Sequence, residues 1–392
     1  MSIDQSRGSI PPAEAAHGGR IDFRSNTTPS LGVELEFGIV DKETMAMTNA
    51  ITPLLDNLPD DVKDFVKPEL IQSCVEVNTK VCGTVGEAGE DLRAKIEAVE
   101  AACDSLNLGL WWGSTHPFSR WSEQEITPNE RYYNLVDLLQ EMARRLICFG
   151  LHVHVGVDSG DKAIMICDRI MQHLPTMLAM TASSPFFEGR RTGLASIRSK
   201  VMEGLPTAGM PPLMRNWSEY VWLVNHLVDT GFINTIREIW WDVRPHHNFG
   251  TVEIRVCDMP GNLEDVLGVT ALIQCLVKKL SDIIDRGAYQ HDCHPMMVRQ
   301  NKWRAARYGQ KAQLVDAFSH EVRGLNSVVT DLVERLWPTA EELDCTEQLK
   351  HALRITEQPS WAQRQEELLD ETGDPAEVTR RLMRQSRLSV PA

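Results

Sequence analysis

The chain has 392 residues, 42% of them hydrophobic, and 55 acidic against 40 basic residues give it a formal net charge of −15. This length and apolar content allow a sizeable core in one large domain or two smaller ones. The acidic balance argues against nucleic acid or an anionic membrane as a partner. No apolar run is long enough to cross a membrane, and the N-terminus lacks the apolar core of a signal peptide.

The nine cysteines are scattered without a C-x-x-C pair, and several lie in apolar runs. Free buried thiols in a reducing compartment are the simple interpretation, so we expect a cytoplasmic protein. Residues 1–28 are polar and rich in Gly, Pro and Ala, which predicts a disordered segment. Residues 29–392 are predicted to form a single domain whose C-terminal part is helical from about residue 311.

The first predicted element is a strand over residues 31–40, in which Glu34 and Glu36 interrupt an apolar run. Side chains alternate faces along a strand, so both acids point to one face and their apolar neighbours to the other. Two adjacent buried carboxylates repel each other unless a cation lies between them. Solvated acids on an exposed strand remain the alternative for this pair taken by itself.

Three later segments, SCVEVNTKV, LHVHVGV and TVEIRVCD, repeat the two-residue spacing of polar side chains in strand-like runs. They carry Glu76 with Asn78, His152 with His154, and Glu253 with Arg255. Four such segments predict a polar, curved sheet that holds an ion and an anionic ligand. Because polar and apolar residues alternate, we expect an α+β fold with a largely antiparallel sheet and helices packed on its outer face.

Helical periodicity and stop signals predict the elements between and after these strands. The predicted helices cover residues 86–108, 132–149, 161–181 and 263–285, and a short strand is predicted to begin at Trp111. Residues 189–212 are rich in Gly, Pro and Arg, which predicts a long loop of the kind that binds ligands. Residues 238–245 and 251–257 are predicted to form a hairpin.

Five side chains of the strand-like segments are candidate metal ligands: Glu34, Glu36, Glu76, His152 and Glu253. Carboxylate oxygens with one imidazole suit Mg²⁺ or Mn²⁺, whereas Zn²⁺ favours thiolates and several histidines. The sequence therefore predicts a magnesium or manganese site on one face of the sheet.

Three arginines are candidates for catalysis: Arg255 beside Glu253, Arg244 in WWDVRPHH, and Arg198 in the 189–212 loop. Phosphoryl transfer needs positive charge around the transferring group, and arginine supplies it bidentately. A structural ion pair with Glu253 is the alternative for Arg255, and a solvated loop position is the alternative for Arg198. The chain has no Gly-rich phosphate loop, so ATP would have to be held by metal and arginines.

Several of these segments together resemble a known family. LGVELEFGIVD, GLHVHVGVD and WWDVRPHHNFGTVEIRVCDMP resemble the YbdK-like carboxylate–amine ligases, or glutamate–cysteine ligase family 2, of the glutamine synthetase and γ-glutamylcysteine synthetase superfamily. TGLASIRSKVMEGLPTAGMPP and QNKWRAARYG are also similar to that family, and the resemblance runs from about Leu31 to beyond Tyr308. Leu35 stands where the family usually has a third acid, on the face opposite the ligand pair.

The resemblance implies a glutamine-synthetase-like sheet and an ATP-dependent ligase that works through an acyl phosphate. It implies glutamate as the carboxylate, cysteine as one possible amine, and a homodimer. It assigns the strand glutamates and His152 to metal and His154 to nucleotide phosphate, which Arg244 and Arg255 are expected to hold as well. Ser196 and Arg198 are expected to bind substrate in the 189–212 loop.

Two other classes of protein remain open. A metal-dependent amide hydrolase also uses an H-x-H pair with carboxylates, although extra histidines are more typical of it. A non-catalytic relative that binds an amino acid or a nucleotide would keep the fold and lose the acids. For His154, a core histidine bonded to backbone is the alternative.

Overall fold

An antiparallel sheet of seven strands organises the computed structural model, which describes residues 21–288, 293–316 and 319–388. In chain order the strands are β1 (Leu31–Asp41), β2 (Val66–Pro68), β3 (Cys74–Asn78), β4 (Leu108–Trp111), β5 (Gly150–Gly156), β6 (Phe186–Phe187), β7 (Arg190–Arg191), β8 (Val243–His246), β9 (Thr251–Asp258), β10 (Gln313–Val315) and β11 (Val322–Gly324). The large sheet has the order β2-β3-β1-β5-β9-β8, and β4 pairs with the end of β1. The antiparallel sheet predicted from alternating residues is confirmed.

Helices surround this sheet. In chain order they are α1 (Ile51–Asp56), α2 (Val85–Ser105), α3 (Glu130–Leu139), α4 (Glu141–Arg144), α5 (Gly160–Ile170), α6 (Leu174–Thr181), α7 (Arg198–Met202), α8 (Trp217–Asp229), α9 (Leu263–Asp285), α10 (Pro295–Tyr308), α11 (Leu325–Glu342), α12 (Thr346–Glu357), α13 (Trp361–Thr372) and α14 (Pro375–Ser386). Thr84, Ser159 and Asn262 cap α2, α5 and α9, because their side chains accept hydrogen bonds from first-turn backbone N–H groups. These three helices contact the sheet, so the expected α+β fold is confirmed.

The two faces of β1 have opposite character. Val33, Leu35 and Phe37 are at most 1% exposed and belong to a hydrophobic core that extends as far as α14. Glu34 and Glu36 point to the other face, as the alternation of residues predicts. A second, smaller apolar cluster joins α5 to α8.

Two predicted helices are interrupted. The helix predicted over residues 132–149 is α3 followed by the short α4, and it ends at Arg144. Gln140 separates them because its φ of 49° lies outside the helical region. The helix predicted over 161–181 is α5 and α6, joined by a 3-10 turn, with Pro175 in the first turn of α6. Proline has no backbone N–H to continue a helix, so it begins the second one.

Three smaller predictions also need correction. The strand predicted to begin at Trp111 is β4, which ends there. The loop predicted over 189–212 contains β7 and the helix α7. In the predicted hairpin only Val243–His246 forms the first strand, and Ile236–Glu238 is a 3-10 turn. The C-terminal part is helical as predicted except for the β10–β11 hairpin.

The predicted disordered segment is ordered in its last eight residues. Arg24 N donates to His247 O at 2.9 Å, and Asn26 N donates to Val157 O at 2.9 Å. Residues 1–20 lie outside the described residues, so disorder there stays a prediction. Among the helices in the described ranges, none is long and apolar enough to span a membrane.

Candidate active site

The sheet forms one wall of a cavity of about 310 Å³. Nine of the side chains predicted from the sequence line it: Glu34, Glu36, Glu76, His152, His154, Arg198, Arg244, Glu253 and Arg255. The antiparallel register explains why they meet, because it places Glu34 opposite His152 and Glu36 opposite Glu76. On the other side of β5 it places Glu253 opposite His154. Neighbouring strands thus carry the polar residues at the same level of the sheet.

Glu34, His154 and Glu253 form the first group with the geometry of a metal site, since one ligand atom from each lies within 4.8 Å of the others. His154 Nε2 is 3.3 Å from Glu34 Oε1 and 3.9 Å from Glu253 Oε1. Thr251 Oγ1 lies 3.0 Å from His154 Nδ1, which leaves Nε2 facing the two carboxylates. That Nε2 is buried and has no hydrogen-bond partner among the described residues.

His152 lines the cavity beside Glu34 but belongs to neither three-residue group, and its assignment to metal stays a prediction. Its Nδ1 lies 3.2 Å from Glu34 Oε2 and 3.4 Å from an Nη1 of Arg255. The group that could hold a cation therefore includes His154, the histidine assigned by resemblance to phosphate. The strand positions explain the difference, because His154 rather than His152 is opposite Glu253.

Glu36, Glu69 and Glu76 form the second group, again with ligand atoms within 4.8 Å of one another. Glu36 accepts a hydrogen bond from Gly150 N at 2.6 Å, and Glu76 accepts one from Asn78 Nδ2 at 2.7 Å. No cationic side chain is paired with these three carboxylates at ion-pair distance in the described residues. Three clustered acids with oxygen ligands only are the set that Mg²⁺ or Mn²⁺ prefers.

The pKa values of these acids divide the site into two electrostatic halves. Burial opposes ionisation of Glu34, but the neighbouring imidazoles of His152 and His154 hold its pKa well below the usual range. Burial and the charge of Glu36 raise the pKa of Glu69 to about 7. Burial and the charges of Glu34 and Glu69 raise the pKa of Glu76 well above its usual range. A divalent cation would restore the charged form of the second group.

Glu253 forms ion pairs with two arginines. Arg244 donates from Nε to Glu253 Oε2 at 2.7 Å and from Nη2 to Oε1 at 3.3 Å, and Arg255 Nη1 donates to Oε1 as well. Burial opposes ionisation of Glu253, but the charges of Arg244 and Arg255 hold its pKa well below the usual range. The ion pair between Arg255 and Glu253, which was the alternative interpretation of Arg255, is thus present, and both residues line the cavity.

Arg198 lies in the cavity wall, whereas Ser196 does not line it. Arg198 is 4% exposed, and its guanidinium donates to the Arg255 carbonyl oxygen at 3.3 and 3.4 Å. Ser196 Oγ donates to Asp258 Oδ1 at 2.8 Å in the buried core, where Asp258 also accepts from Ser184. The structure therefore places the Ser196 side chain outside this cavity, where the substrate contact expected of it could not form.

Sequence reasoning missed several residues of the cavity. Glu69 follows the three-residue β2, which contains a proline and has no alternating pattern that could have marked the acid. Lys67, Arg131 and Arg237 add positive charge from separate segments. Phe249 is stacked on His246 with ring centroids 4.1 Å apart, and both rings line the cavity.

The cavity offers no activated nucleophile among the described residues. Its two cysteines, Cys74 and Cys148, are thiols rather than thiolates, because burial raises the pKa of Cys148 to about 12 and that of Cys74 well above its usual range. Clustered carboxylates, imidazoles and guanidiniums instead suit a cation and the phosphate groups of a substrate.

Comparisons with known proteins identify the family of the chain. A provisionally named glutamate–cysteine ligase 2-1 of Frankia alni is 45% identical over 342 residues, which cover 86% of this chain and 90% of the relative. A provisionally named glutamate–cysteine ligase 2 of Gloeobacter violaceus is 39% identical over 354 residues, 90% of this chain and 95% of the relative.

Two solved structures share the fold at low sequence identity. Glutamate–cysteine ligase of Francisella tularensis, solved with AMP, has a TM-score of 0.70 and 12% identity, covering 94% of this chain and 91% of its own. A bifunctional glutathione synthetase of Pasteurella multocida has a TM-score of 0.68 and 14% identity, covering 91% of this chain and 52% of its own. The family description "glutamate-cysteine ligase family 2" matches residues 30–385. The chain belongs to glutamate–cysteine ligase family 2.

Proposed function

We propose that this protein is an ATP-dependent carboxylate–amine ligase that forms a γ-glutamyl-type amide bond, with glutamate as the carboxylate and cysteine as one amine. The observation that carries the proposal is the pair of acid groups in one cavity with Arg198, Arg244 and Arg255 beside them. Family membership and the names of the relatives support it.

The donor set fits divalent cations. Glu36, Glu69 and Glu76 would hold one Mg²⁺ or Mn²⁺, and Glu34, His154 and Glu253 would hold a second. When bound, such ions neutralise charge on the phosphates and on the leaving oxygen. The position of His154 Nε2 between the carboxylates of Glu34 and Glu253 and the raised pKa values of Glu69 and Glu76 both favour the binding of cations.

The arginines would act on the transferring phosphoryl group. Amide formation from a free carboxylate is uphill in water, so the carboxylate is first converted to an acyl phosphate by ATP. Glu253 holds both Arg255 and Arg244, and Arg198 lies next to them. Arg244 Nη1 also donates to the carbonyl oxygens of Ile236 and Ile239, so phosphate oxygens would be bound mainly by the remaining N–H groups of Arg255. The neutral substrate amine then attacks the acyl carbon, and a nearby guanidinium stabilises the oxyanion. Collapse of the oxyanion breaks the bond to the phosphate oxygen, and phosphate leaves with the proton that the amine nitrogen loses.

The test is product analysis with purified protein, Mg-ATP, and pairs drawn from a panel of amino acids and amines. We expect ADP and phosphate only when both substrates are present, and a hydroxamate when hydroxylamine replaces the amine. AMP and pyrophosphate would contradict the acyl phosphate and indicate adenylation. Amide hydrolysis without ATP would support the metal-dependent hydrolase, and tight binding without turnover would support the non-catalytic relative.

We further propose that the protein is a cytoplasmic homodimer. All nine cysteines are free thiols, which fits a reducing compartment. Trp222 and Phe232 are 59% and 70% exposed, and a subunit interface at either residue would cover an apolar side chain. Light scattering on the 44.2 kDa chain would test the dimer, and a monomer at micromolar concentration would contradict it.

A further inference from the structure

Helix α10 contributes no side chain to the cavity, yet it carries the segment QNKWRAARYG that the functional site leaves unexplained. Lys302 of this segment is buried, with 2% of its surface exposed. Its Nζ lies 2.5 Å from Asp242 Oδ2 and 2.7 Å from Glu203 Oε1. A buried ammonium is found where charged partners compensate for lost hydration, so this pairing is a fixed part of the fold.

The two carboxylates belong to the two segments that present the arginines of the site. Glu203 directly follows α7, whose first residue is Arg198. Asp242 lies two residues before Arg244, and its backbone oxygen accepts a hydrogen bond from Arg255 N at 2.8 Å. Lys302 therefore bridges the segment of Arg198 to the segment of Arg244 and Arg255.

A second contact also attaches α10 to the segment that contains α7. The Ala306 carbonyl oxygen accepts hydrogen bonds from both Ala195 N and Ser196 N at 2.9 Å, just before α7 begins. The helix thus holds the entry to α7 through its backbone and the exit through Lys302. Arg198 in turn donates to the Arg255 carbonyl, so a shift of either segment would change the spacing of the guanidinium groups.

We propose that Lys302 is a positioning residue for the ligase reaction, which clamps Glu203 to Asp242 and thereby sets the relative positions of Arg198, Arg244 and Arg255. The expected effect on catalysis rests on the proposed ligase function. The contact between the two segments through Lys302 rests on the geometry alone. Lys200 Nζ also lies 2.7 Å from Glu203 Oε2, so Glu203 would keep one cation if the Lys302 ammonium were removed. Asp242 would lose its ion pair with Lys302, and no ammonium would bridge the two carboxylates, so the segments would separate. A displacement of about 1 Å in such a constellation costs about a hundredfold in rate.

The test compares wild type, K302M, K302R and R307M as full-length proteins. Methionine keeps the apolar stem of the side chain and removes the charge, whereas arginine keeps the charge. Arg307 is the matched control, because it is exposed on the same helix and its guanidinium lies over the neighbouring Tyr308 ring. The first measurement is hydrogen exchange of backbone amides, and the second is steady-state ADP release well below the unfolding temperature.

We expect K302M to exchange faster in residues 195–203 and 241–256 and to lose about tenfold to a hundredfold in kcat. K302R should recover most of both losses, and R307M should match wild type. Unchanged exchange in the two segments would overturn the clamp. Faster exchange with unchanged kcat would overturn the positioning role, as would a lower Tm with unchanged kcat. If wild type turns over no substrate pair, the proposed ligase activity fails, and the exchange data alone decide whether Lys302 holds the two segments.

Discussion

Glu69 shows how much a single residue can add to this site. It comes from the turn after β2, whereas Glu36 and Glu76 face each other across the β1–β3 pair. Its carboxylate completes the three-oxygen group, and burial with the charge of Glu36 raises its pKa to about 7. An acid that is only partly ionised near pH 7 is one that a bound cation would ionise fully.

We therefore expect Glu69→Gln to raise the Mg²⁺ concentration needed for half-maximal ADP release and to lower the maximal rate by at least about tenfold, since one of three cation ligands is lost. A Mg²⁺ titration of the initial rate measures both effects. Glu90→Gln is the control, because Glu90 is exposed on α2. An unchanged Mg²⁺ dependence in Glu69→Gln would show that this acid group does not bind the catalytic cation.

His116 is a buried titratable residue outside the cavity. It is fully buried, and its Nδ1 accepts a hydrogen bond from Ser119 N at 3.1 Å. Burial lowers the pKa of His116 from its ordinary 6.5 to about 3. The unfolded chain therefore binds a proton below pH 6.5 that the folded chain rejects, so stability from this group is complete above that pH and is lost as pH falls toward 3.

This difference in pKa should contribute about 2 kcal/mol to the loss of unfolding free energy between pH 7 and pH 5. Urea unfolding at the two pH values, on wild type and on His116→Asn, measures the contribution. Asparagine keeps an acceptor and does not titrate, so the variant should be less stable at pH 7 but lose less on acidification. An equal loss in both proteins would mean that other buried histidines account for the acid sensitivity.

At the scale of elements, the β8–β9 hairpin connects the arginine pair to the sheet. It places Arg244 opposite Glu253, and the turn between the strands contains Gly250 with φ of 66°. A Cβ at Gly250 would lie 1.9 Å from the Arg24 carbonyl oxygen. Two features therefore require glycine at this position: the left-handed backbone conformation and the close approach of the N-terminal segment.

We expect Gly250→Ala to destabilise the fold clearly more than Gly231→Ala. Gly231 has φ of 72°, and a Cβ added there would have no atom within 4 Å, so alanine meets only the backbone penalty of about 1 kcal/mol. Thermal unfolding of the two variants gives the comparison. Equal losses would mean that the N-terminal segment moves aside at no cost.

At the scale of the whole molecule, the cavity brings together five carboxylates, four on strands of the sheet and Glu69 just after β2, and a large apolar core supports the sheet. The core stabilises the fold, whereas the clustered acids of the second group oppose it, and a bound cation would compensate them. Binding to the native state alone adds to stability by mass action.

Addition of Mg²⁺ at a hundredfold its dissociation constant should stabilise the protein by about 2.7 kcal/mol, seen as a higher Tm than in EDTA with KCl at equal ionic strength. The variant carrying both Glu36→Gln and Glu76→Gln should gain less from Mg²⁺, since it lacks two of the three oxygen ligands of the second group. It should also be at least as stable as wild type in EDTA, because the repulsion is gone. The same gain in both proteins would assign the effect to weak surface binding.

The sequence by itself determined the polar face of the sheet. Alternation along β1, β3, β5 and β9 is a local property of a strand, so it marked Glu34, Glu36 and Glu253 as residues of one face without knowledge of their contacts. The family resemblance followed from the same segments. The predicted ends of the helices that contain α3 and α5 were wrong. Helix-favouring residues continue past Gln140 and past the 3-10 turn after α5, although the backbone leaves the α-helical conformation at both places.

Only the tertiary structure decided which of these residues lie close together. The register of β5 on β9 puts His154 opposite Glu253, and a short strand with a proline brings Glu69 to Glu36. The tertiary structure also turns the Ser196 side chain toward Asp258 rather than into the cavity. It brings Lys302 within ion-pair distance of Glu203 and Asp242. Register and packing join residues far apart in the chain, and the periodicity of one segment holds no information about the level at which it meets another.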